Sequence, residues 1–163
     1  KVQEALEKWT DIKKKHQDLR LHLIGKLQSN KVKFVSELFD YIHSLDSEKL
    51  AKKISDEQRN KNWHPKLFIQ VNIGNETQKS GIHVEQVENF AKFCEELKLN
   101  IIGLMCIPPI NEDPEKSFLR MNYLNKKMNF NELSMGMSAD YLSAIENKST
   151  YLRIGSEIFG ERT

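Results

Sequence analysis

The chain has 163 residues, of which 39% are hydrophobic and 29% are charged, and its formal net charge at pH 7 is +2. This size and apolar content suit one domain with a buried core, while the near balance of charges excludes a general attraction to nucleic acid. The sequence contains no run of about 18 apolar residues, so it predicts no membrane-spanning helix. The two cysteines, Cys94 and Cys106, lack metal-ligand spacing, so we expect reduced core residues of a cytoplasmic protein.

Short apolar runs alternate with amphipathic segments along the chain. Helical spacing predicts helices at 2–15, 31–39, 47–60, 84–97 and 114–127, with a further helical segment between 139 and 150. Apolar runs predict strands at 21–25, 41–46, 66–73, 100–107, 133–138 and 151–156. Six alternations of strand and helix predict a parallel α/β architecture over 1–163, without a second domain.

The ends of the predicted strands are chemically alike, because small or polar residues follow each apolar run. In a (β/α)8 TIM-type barrel these ends lie on one rim, where the loops build a site. An open doubly wound sheet would bind its ligand at a switch point, but the chain has no G-x-G-x-x-G fingerprint that favours this alternative. We therefore expect a barrel.

The stretch from Leu133 to Arg162 contains two apolar runs, each of which ends in serine and glycine before a helical segment. Backbone N–H groups at such strand ends remain available to a ligand, and a helix N-terminus adds a partial positive charge. Together they favour a phosphate site.

Four separated motifs resemble the pyridoxal phosphate homeostasis protein family, whose members are similar to the barrel domain of alanine racemase. They are HLIGKLQSNK at 22–31, QKSG at 78–81, GLM at 103–105 and the stretch 133–162. The resemblance implies a (β/α)8 barrel that binds pyridoxal 5'-phosphate in vitamin B6 and amino-acid homeostasis. Such a protein, expected to be a monomer, would bind the cofactor or hand it to apo-enzymes without strong catalysis.

Two features of the family are not in this sequence. They are a lysine on the first strand that binds the cofactor covalently and a Gly-Glu-Asn segment that ends the second strand. The first residues here resemble those that follow Gly-Glu-Asn, so we expect the first one or two β/α units to be absent. Lys26 and Lys79 lie in predicted polar loops, where a solvated or phosphate-facing lysine is favoured over a covalent role.

The resemblance also implies which residues contact the cofactor. Arg153 would face the pyridine nitrogen, and Met105 would lie near the ring face. Because arginine stays protonated, the ring nitrogen would stay unprotonated and the ring would be a weak electron sink. The residues implied for the phosphate are Ser134, Met135, Gly136, Gly155 and Ser156.

Other uses of these side chains remain open. Ser134 and Ser156 could cap helices, and Arg153 could pair with Glu157 or Asp140. Met105, Met135 and Met137 could be only core-filling residues. The alternative function is an amino-acid racemase of the alanine racemase type. It needs bases on two faces of the substrate carbon, and no tyrosine is evidently placed as the second base.

Three further residues carry predictions. His22 and His43 lie in or near strands, where hydrogen-bonded interior histidines are favoured over metal ligands because no third ligand accompanies them. Lys148 stands where relatives usually carry glycine, which predicts a helix end closed without the preferred residue.

Overall fold

The structure is a computed structural model that describes residues 2–160. Lys1, and Glu161 and Arg162 at the end of the predicted phosphate stretch, lie outside the described residues. The helices are α1 (Val2–Lys15), α2 (Val32–Val35), α3 (Glu48–Lys61), α4 (Val87–Glu96), α5 (Pro114–Lys127), α6 (Tyr141–Glu146) and α7 (Ser156–Phe159). The strands are β1 (His22–Leu23), β2 (Tyr41–Leu45), β3 (Lys66–Asn72), β4 (Ile82–His83), β5 (Ile101–Cys106), β6 (Glu132–Met137) and β7 (Tyr151–Arg153).

All the strands belong to one parallel sheet with the order β1-β2-β3-β5-β6-β7, and β4 pairs with β3 outside this path. Successive strands are therefore neighbours that helices connect, as the alternating sequence pattern predicts. The sheet curls into a partial barrel, since Tyr41 of β2 and Tyr151 of β7 lie with ring centroids 5.9 Å apart although four strands separate them in sequence.

The hydrophobic core lies between the outer face of the sheet and the helices. Apolar side chains on alternate strand positions pack there against one face of each long helix, and each large one contributes about 1.5–3 kcal/mol when fully buried. The largest fully buried members of this cluster are Ile42, Leu45, Leu50, Ile54, Leu67, Ile69, Leu104, Phe118, Met121 and Met135.

Two long helices begin at side-chain caps that the sequence encodes. The hydroxyl of Ser47 accepts a hydrogen bond from the Leu50 amide at 3.3 Å and starts α3. The carboxylate of Asp113 accepts from the Glu115 amide at 3.0 Å, and Pro114 follows as the first residue of α5. Both arrangements satisfy amide groups that have no partner within the helix.

The register of four strands places one row of side chains across the inner face of the sheet. Gln70 of β3 pairs with Met105 of β5, which pairs with Ser134 of β6, which pairs with Tyr151 of β7. Because paired residues in a sheet point to the same face, this row forms one layer of the interior. The interior is therefore more polar than the outer core.

A bulge in β6 changes the register above this row. Ser134 pairs with Tyr151 but Met137 pairs with Arg153, so β6 contains one residue more than β7 over the same length. Gly136 lies in the bulge with φ +93°, and a Cβ there would come within 2.6 Å of the Cβ of Ala144 in α6. Glycine is required here by the backbone angle and by the close approach of α6.

Several predicted boundaries differ from the structure. The strand expected at 21–25 is reduced to His22–Leu23, and the helix expected at 31–39 is a 3-10 turn followed by Val32–Val35. Amide hydrogen bonds from Leu38 and Phe39 to the Val35 carbonyl end that helix early. The strand Ile82–His83 was not predicted, because two residues are too few to show a period. No helix among residues 2–160 has the length and apolar character needed to cross a membrane.

The C-terminus of α6 confirms the strain expected at Lys148. Lys148 adopts φ 70°, and its amide donates to the Ile145 carbonyl at 2.9 Å while the Ser149 amide donates to the Ala144 carbonyl at 2.9 Å. This is a Schellman motif with lysine at the left-handed position that usually holds glycine.

Replacing Lys148 with glycine should therefore stabilise the protein. A side chain in the left-handed region costs about 1–2 kcal/mol, and the greater freedom of glycine in the unfolded chain offsets part of that gain. We expect a net increase of about 0.5–1 kcal/mol in the unfolding free energy, measured by urea denaturation. Lys148→Ala keeps the Cβ and should change little. An equal gain in both variants would contradict the explanation.

Candidate functional site

A cavity of about 1020 Å³ opens at the carboxyl ends of the strands, between the inner face of the sheet and the loops that follow β6 and β7. Its size is that of a small-molecule or cofactor site. The cavity is lined by His22, Ile24, His43, Ile107, Met137, Ser138, Ala139, Tyr151, Leu152, Arg153, Ile154, Gly155, Ser156, Phe159 and Gly160. Of the predicted site residues, Arg153, Gly155 and Ser156 line the cavity, whereas the first phosphate run contributes Met137 and Ser138, which were not predicted as contacts.

Arg153, at the end of β7, is the cation of this cavity. Its Nη1 donates to the Ser134 hydroxyl at 2.9 Å and its Nη2 donates to the Cys106 carbonyl at 2.8 Å. Among residues 2–160 no ion pair within 4.0 Å engages it, so the predicted alternative of pairing with Glu157 or Asp140 is not seen. Burial lowers the pKa of Arg153 from its ordinary value, and its charge is held by neutral acceptors.

Ser134 connects Arg153 to two histidines. Its hydroxyl oxygen lies 2.8 Å from Nδ1 of His43, and Nε2 of His43 lies 3.0 Å from Nδ1 of His22. We call Arg153, Ser134, His43 and His22 the polar chain. It runs across the inner face from β7 to β1. His43 is a buried, hydrogen-bonded histidine as predicted, whereas the interior position expected for His22 is wrong, because its hydrogen-bonded ring lies at the exposed end of the polar chain on the short strand β1. No group of three His, Cys, Asp or Glu side chains suited to a metal ion occurs in the described part of the chain.

His43 is neutral over the physiological range. Burial, followed by the nearby His22 and the positive charge of Arg153, lowers its pKa to about 3. Burial also lowers the pKa of His22, which Asp40 partly opposes. Each histidine therefore has one ring nitrogen that donates and one that accepts.

Aromatic rings pack beside the polar chain and hold it in place. The His22 ring stacks on Tyr41 with centroids 4.0 Å apart, and the His43 ring stacks on Phe68 at 4.4 Å. Tyr151 meets Phe68 edge to face at 5.2 Å. Burial, with a hydrogen bond to Tyr41, raises the pKa of Tyr151 to about 12. The wall is thus rigid and uncharged apart from Arg153.

The second phosphate run ends at the start of α7, where Gly155 and Ser156 line the cavity. The hydroxyl oxygen of Ser138 accepts hydrogen bonds from the Gly155 amide at 3.3 Å and the Glu157 amide at 3.4 Å. Nothing lies within 4 Å of where a Gly155 Cβ would stand, and Ser156 is exposed. The oxygen of Ser138 thus occupies a place at the start of α7 where an anionic oxygen would find the same donors.

The other predicted site residues lie deeper. Met135 is fully buried in the outer core and its amide donates to the Ser149 hydroxyl at 3.4 Å, while Gly136 packs against α6. Met105 is 1% exposed and lies beside Ser134 in the inner row. The hydroxyl of Ser134 is 0% exposed and already has two partners. Phosphate contacts by Ser134, Met135 and Gly136 stay predictions, and so does the contact of Met105 with a ring.

Sequence reasoning did not select several lining residues. Ser138 was recognisable only as the serine that ends the first predicted run. Ile24, Ile107 and Phe159 are 51%, 41% and 84% exposed and give the rim an apolar surface. Ile24 and Ile107 directly follow strands and Phe159 ends the short helix α7, and at such positions exposure cannot be inferred from the local pattern. Nothing in the local sequence marked Tyr151 as a lining residue, because the rings that it contacts belong to distant parts of the chain.

Comparison with known proteins gives the same fold and similar sequences. A family model described as the alanine racemase N-terminal domain matches residues 1–163. A "Pyridoxal phosphate homeostasis protein" of Vibrio cholerae is 41% identical over 99% of this chain and 73% of its own length. A protein of that name from Aquifex aeolicus is 38% identical, with 99% and 75% covered.

Two solved structures are similar to the chain. PipY of Synechococcus elongatus, determined with pyridoxal phosphate bound, superposes with a TM-score of 0.87 at 31% identity and covers 98% of this chain and 79% of its own. Alanine racemase of Acinetobacter baumannii superposes with a TM-score of 0.74 at 16% identity, with 98% and 47% covered. These likenesses confirm the predicted α/β barrel fold.

The low pKa of His43 predicts how stability depends on pH. The unfolded chain binds a proton at this residue below about pH 6.5, whereas the folded protein does not until about pH 3. Stability should therefore fall as the pH drops through this window, with a slope from His43 that approaches about 1.4 kcal/mol per pH unit.

This slope can be assigned with two variants. Unfolding free energies of the protein and of His43→Asn, measured by urea denaturation from about pH 7.5 to 5, should show a shallower slope in the variant. His64→Asn changes an exposed imidazole and serves as the matched control. Equal slopes in the protein and in His43→Asn would contradict a neutral, buried His43.

Proposed function

The chain belongs to the pyridoxal phosphate homeostasis proteins of the alanine racemase N-terminal domain family, and from this premise we propose that it binds pyridoxal 5'-phosphate without strong catalysis of its own. The observation that carries the proposal is Arg153. A guanidinium that is held inside a cavity by neutral partners, with no acid paired to it among residues 2–160, favours an electron-rich ligand group beside it.

The donor set at the start of α7 fits the phosphate. The Gly155 and Glu157 amides point at the Ser138 oxygen, and a phosphate oxygen could take its place while the Ser138 hydroxyl turns to donate. Gly155 leaves room for the close approach. Ser156 adds an exposed hydroxyl at the same helix start. Donors of this kind bind a dianion because each N–H or O–H bond to a charged oxygen is strengthened.

The part of the cavity beside Arg153 fits the ring. Two of the five N–H donors of Arg153 are used by Ser134 and Cys106, which leaves donors for the pyridine nitrogen. Apolar side chains at the rim, Ile107 and Met137, are 41% exposed and can cover a ring face. The cavity is open at this rim, which would permit transfer of the cofactor to apo-enzymes.

The residues of the inner face give little support for strong catalysis. When bound, the cofactor supplies a reactive aldehyde and an electron-withdrawing ring. Arg153 keeps the ring nitrogen unprotonated and so weakens that withdrawal. A racemase also needs a proton donor and acceptor that titrate near neutral pH. The pKa values of His43, about 3, and Tyr151, about 12, lie far from that range.

Binding of pyridoxal phosphate tests this proposal directly. We expect pyridoxal phosphate to bind at least about tenfold more tightly than pyridoxal, because charge-assisted hydrogen bonds to the phosphate each contribute more than about 1.4 kcal/mol. Calorimetric titration of the purified protein with each ligand measures the difference. Equal affinities for the two ligands, or no binding of either, would overturn the proposal.

Two variants test whether binding depends on the arginine in the cavity or on an arginine at the surface. Arg153→Leu should weaken binding of pyridoxal phosphate by about tenfold or more. Arg59→Leu removes a guanidinium from the exposed face of α3, where it pairs with Asp56 at 2.6 Å, and should leave binding unchanged. Circular dichroism of both variants checks that they fold.

A further inference from the structure

The hydrogen bonds of the polar chain can be ordered by starting from its first member and asking which partner each hydrogen has. Arginine can only donate, so the bond from Arg153 Nη1 makes the Ser134 oxygen an acceptor. A hydroxyl oxygen can accept two hydrogen bonds, so this bond alone does not decide the tautomer of His43. Among residues 2–160, however, Nδ1 of His43 at 2.8 Å is the side-chain acceptor that the structure offers to the hydroxyl hydrogen of Ser134, so an accepting Nδ1 is the arrangement that satisfies every group.

The same argument continues to the exposed end. With Nδ1 accepting, neutral His43 carries its hydrogen on Nε2 and donates to Nδ1 of His22 at 3.0 Å. His22 then carries its hydrogen on Nε2. In this order every link donates away from Arg153, and each hydrogen of the polar chain has an acceptor while Arg153 is charged and His43 is neutral.

We propose that Ser134 and His43 are positioning residues that fix the guanidinium of Arg153 as a donor toward the cavity, so that the site selects a ring presenting an unprotonated acceptor atom. The ligand in this inference rests on the proposed function, whereas the hydrogen-bond order is a property of the protein alone. The sequence predicts that Ser134 contacts the phosphate, whereas in this proposal Ser134 positions Arg153, which faces the ring.

The burial of these groups supports a positioning role. Ser134 and His43 are 0% and 2% exposed, and they share the inner face with the uncharged rings of Phe68, Tyr151 and Tyr41. The titratable or charged groups that face His43 are His22 from β1 and Arg153 and Tyr151 from β7. Removing the Ser134 hydroxyl leaves an Arg153 donor and a His43 acceptor without partners in a place that water reaches poorly. The guanidinium is then free to turn.

The hydrogen-bond order can be read in the ligand-free protein. Nitrogen NMR of labelled histidine, between about pH 5 and 8, should show His43 as the Nε2–H tautomer throughout. In Ser134→Ala this preference should be lost, because Nδ1 no longer receives a hydrogen bond. A His43 that carries its hydrogen on Nδ1 in the unsubstituted protein would overturn the proposal.

Ligand selectivity tests the positioning itself. The probes are pyridoxal phosphate and its carbocyclic analogue, in which a C–H group replaces the ring nitrogen. The protein should prefer pyridoxal phosphate by about tenfold, and Ser134→Ala should reduce that preference toward one by weakening only the nitrogen-containing ligand. Ser138→Ala, which alters the phosphate end, should weaken both ligands equally. An equal loss for both ligands in Ser134→Ala would show a merely structural role and overturn the proposal.

Two variants at His43 test whether a hydrogen-bond acceptor in place of Nδ1 is enough to retain the ligand preference. His43→Asn keeps an acceptor near the place of Nδ1 and should retain the preference for pyridoxal phosphate, whereas His43→Leu should lose it. Equal behaviour of the two would contradict the proposal. If the unsubstituted protein binds neither ligand, the proposed function fails while the tautomer of His43 still decides the hydrogen-bond order.

Discussion

The inner face of this sheet is organised by the need to satisfy one buried cation without a buried anion. Desolvating a guanidinium is expensive unless its N–H groups find acceptors, and Arg153 finds them in a hydroxyl and a main-chain carbonyl. Satisfying it in this way leaves the positive charge without a carboxylate within 4.0 Å among residues 2–160, although Asp140 acts on it from a longer distance. The cavity therefore keeps an attraction that an ion pair would have consumed, and the neutral histidines beyond Ser134 extend the network without adding charge.

Backbone geometry makes this arrangement possible. The bulge at Gly136 shifts the pairing of β6 and β7, so that Arg153 pairs with Met137 while Tyr151 pairs with Ser134. The same glycine lets α6 pack close enough for its C-terminal turn to lead directly into β7. Packing on the outer face thus decides which side chains meet on the inner face. The ends of β6 and β7, with the loops that follow them, both line the cavity.

The parallel sheet could be predicted from the sequence, because the strands β2, β3, β5 and β6 are apolar runs long enough to show their type. The resemblance directed attention to Arg153, Gly155 and Ser156, which all line the cavity. The partners of Ser134 could not be predicted, since His43 is 91 residues away in the chain and the bulge changes the register between them. Short elements such as β4 and α2 depend on tertiary contacts more than on local pattern.

The neutrality of His43 down to about pH 3 also concerns how a cargo would be retained. Arg153 carries the positive charge of the polar chain, and His43 beside Ser134 stays neutral in the range where cells live. A protonation change at His43 therefore cannot weaken the contact between Arg153 and a ligand above about pH 3. Any dependence of retention on pH near neutrality would then come from the ligand, whose phosphate changes charge there.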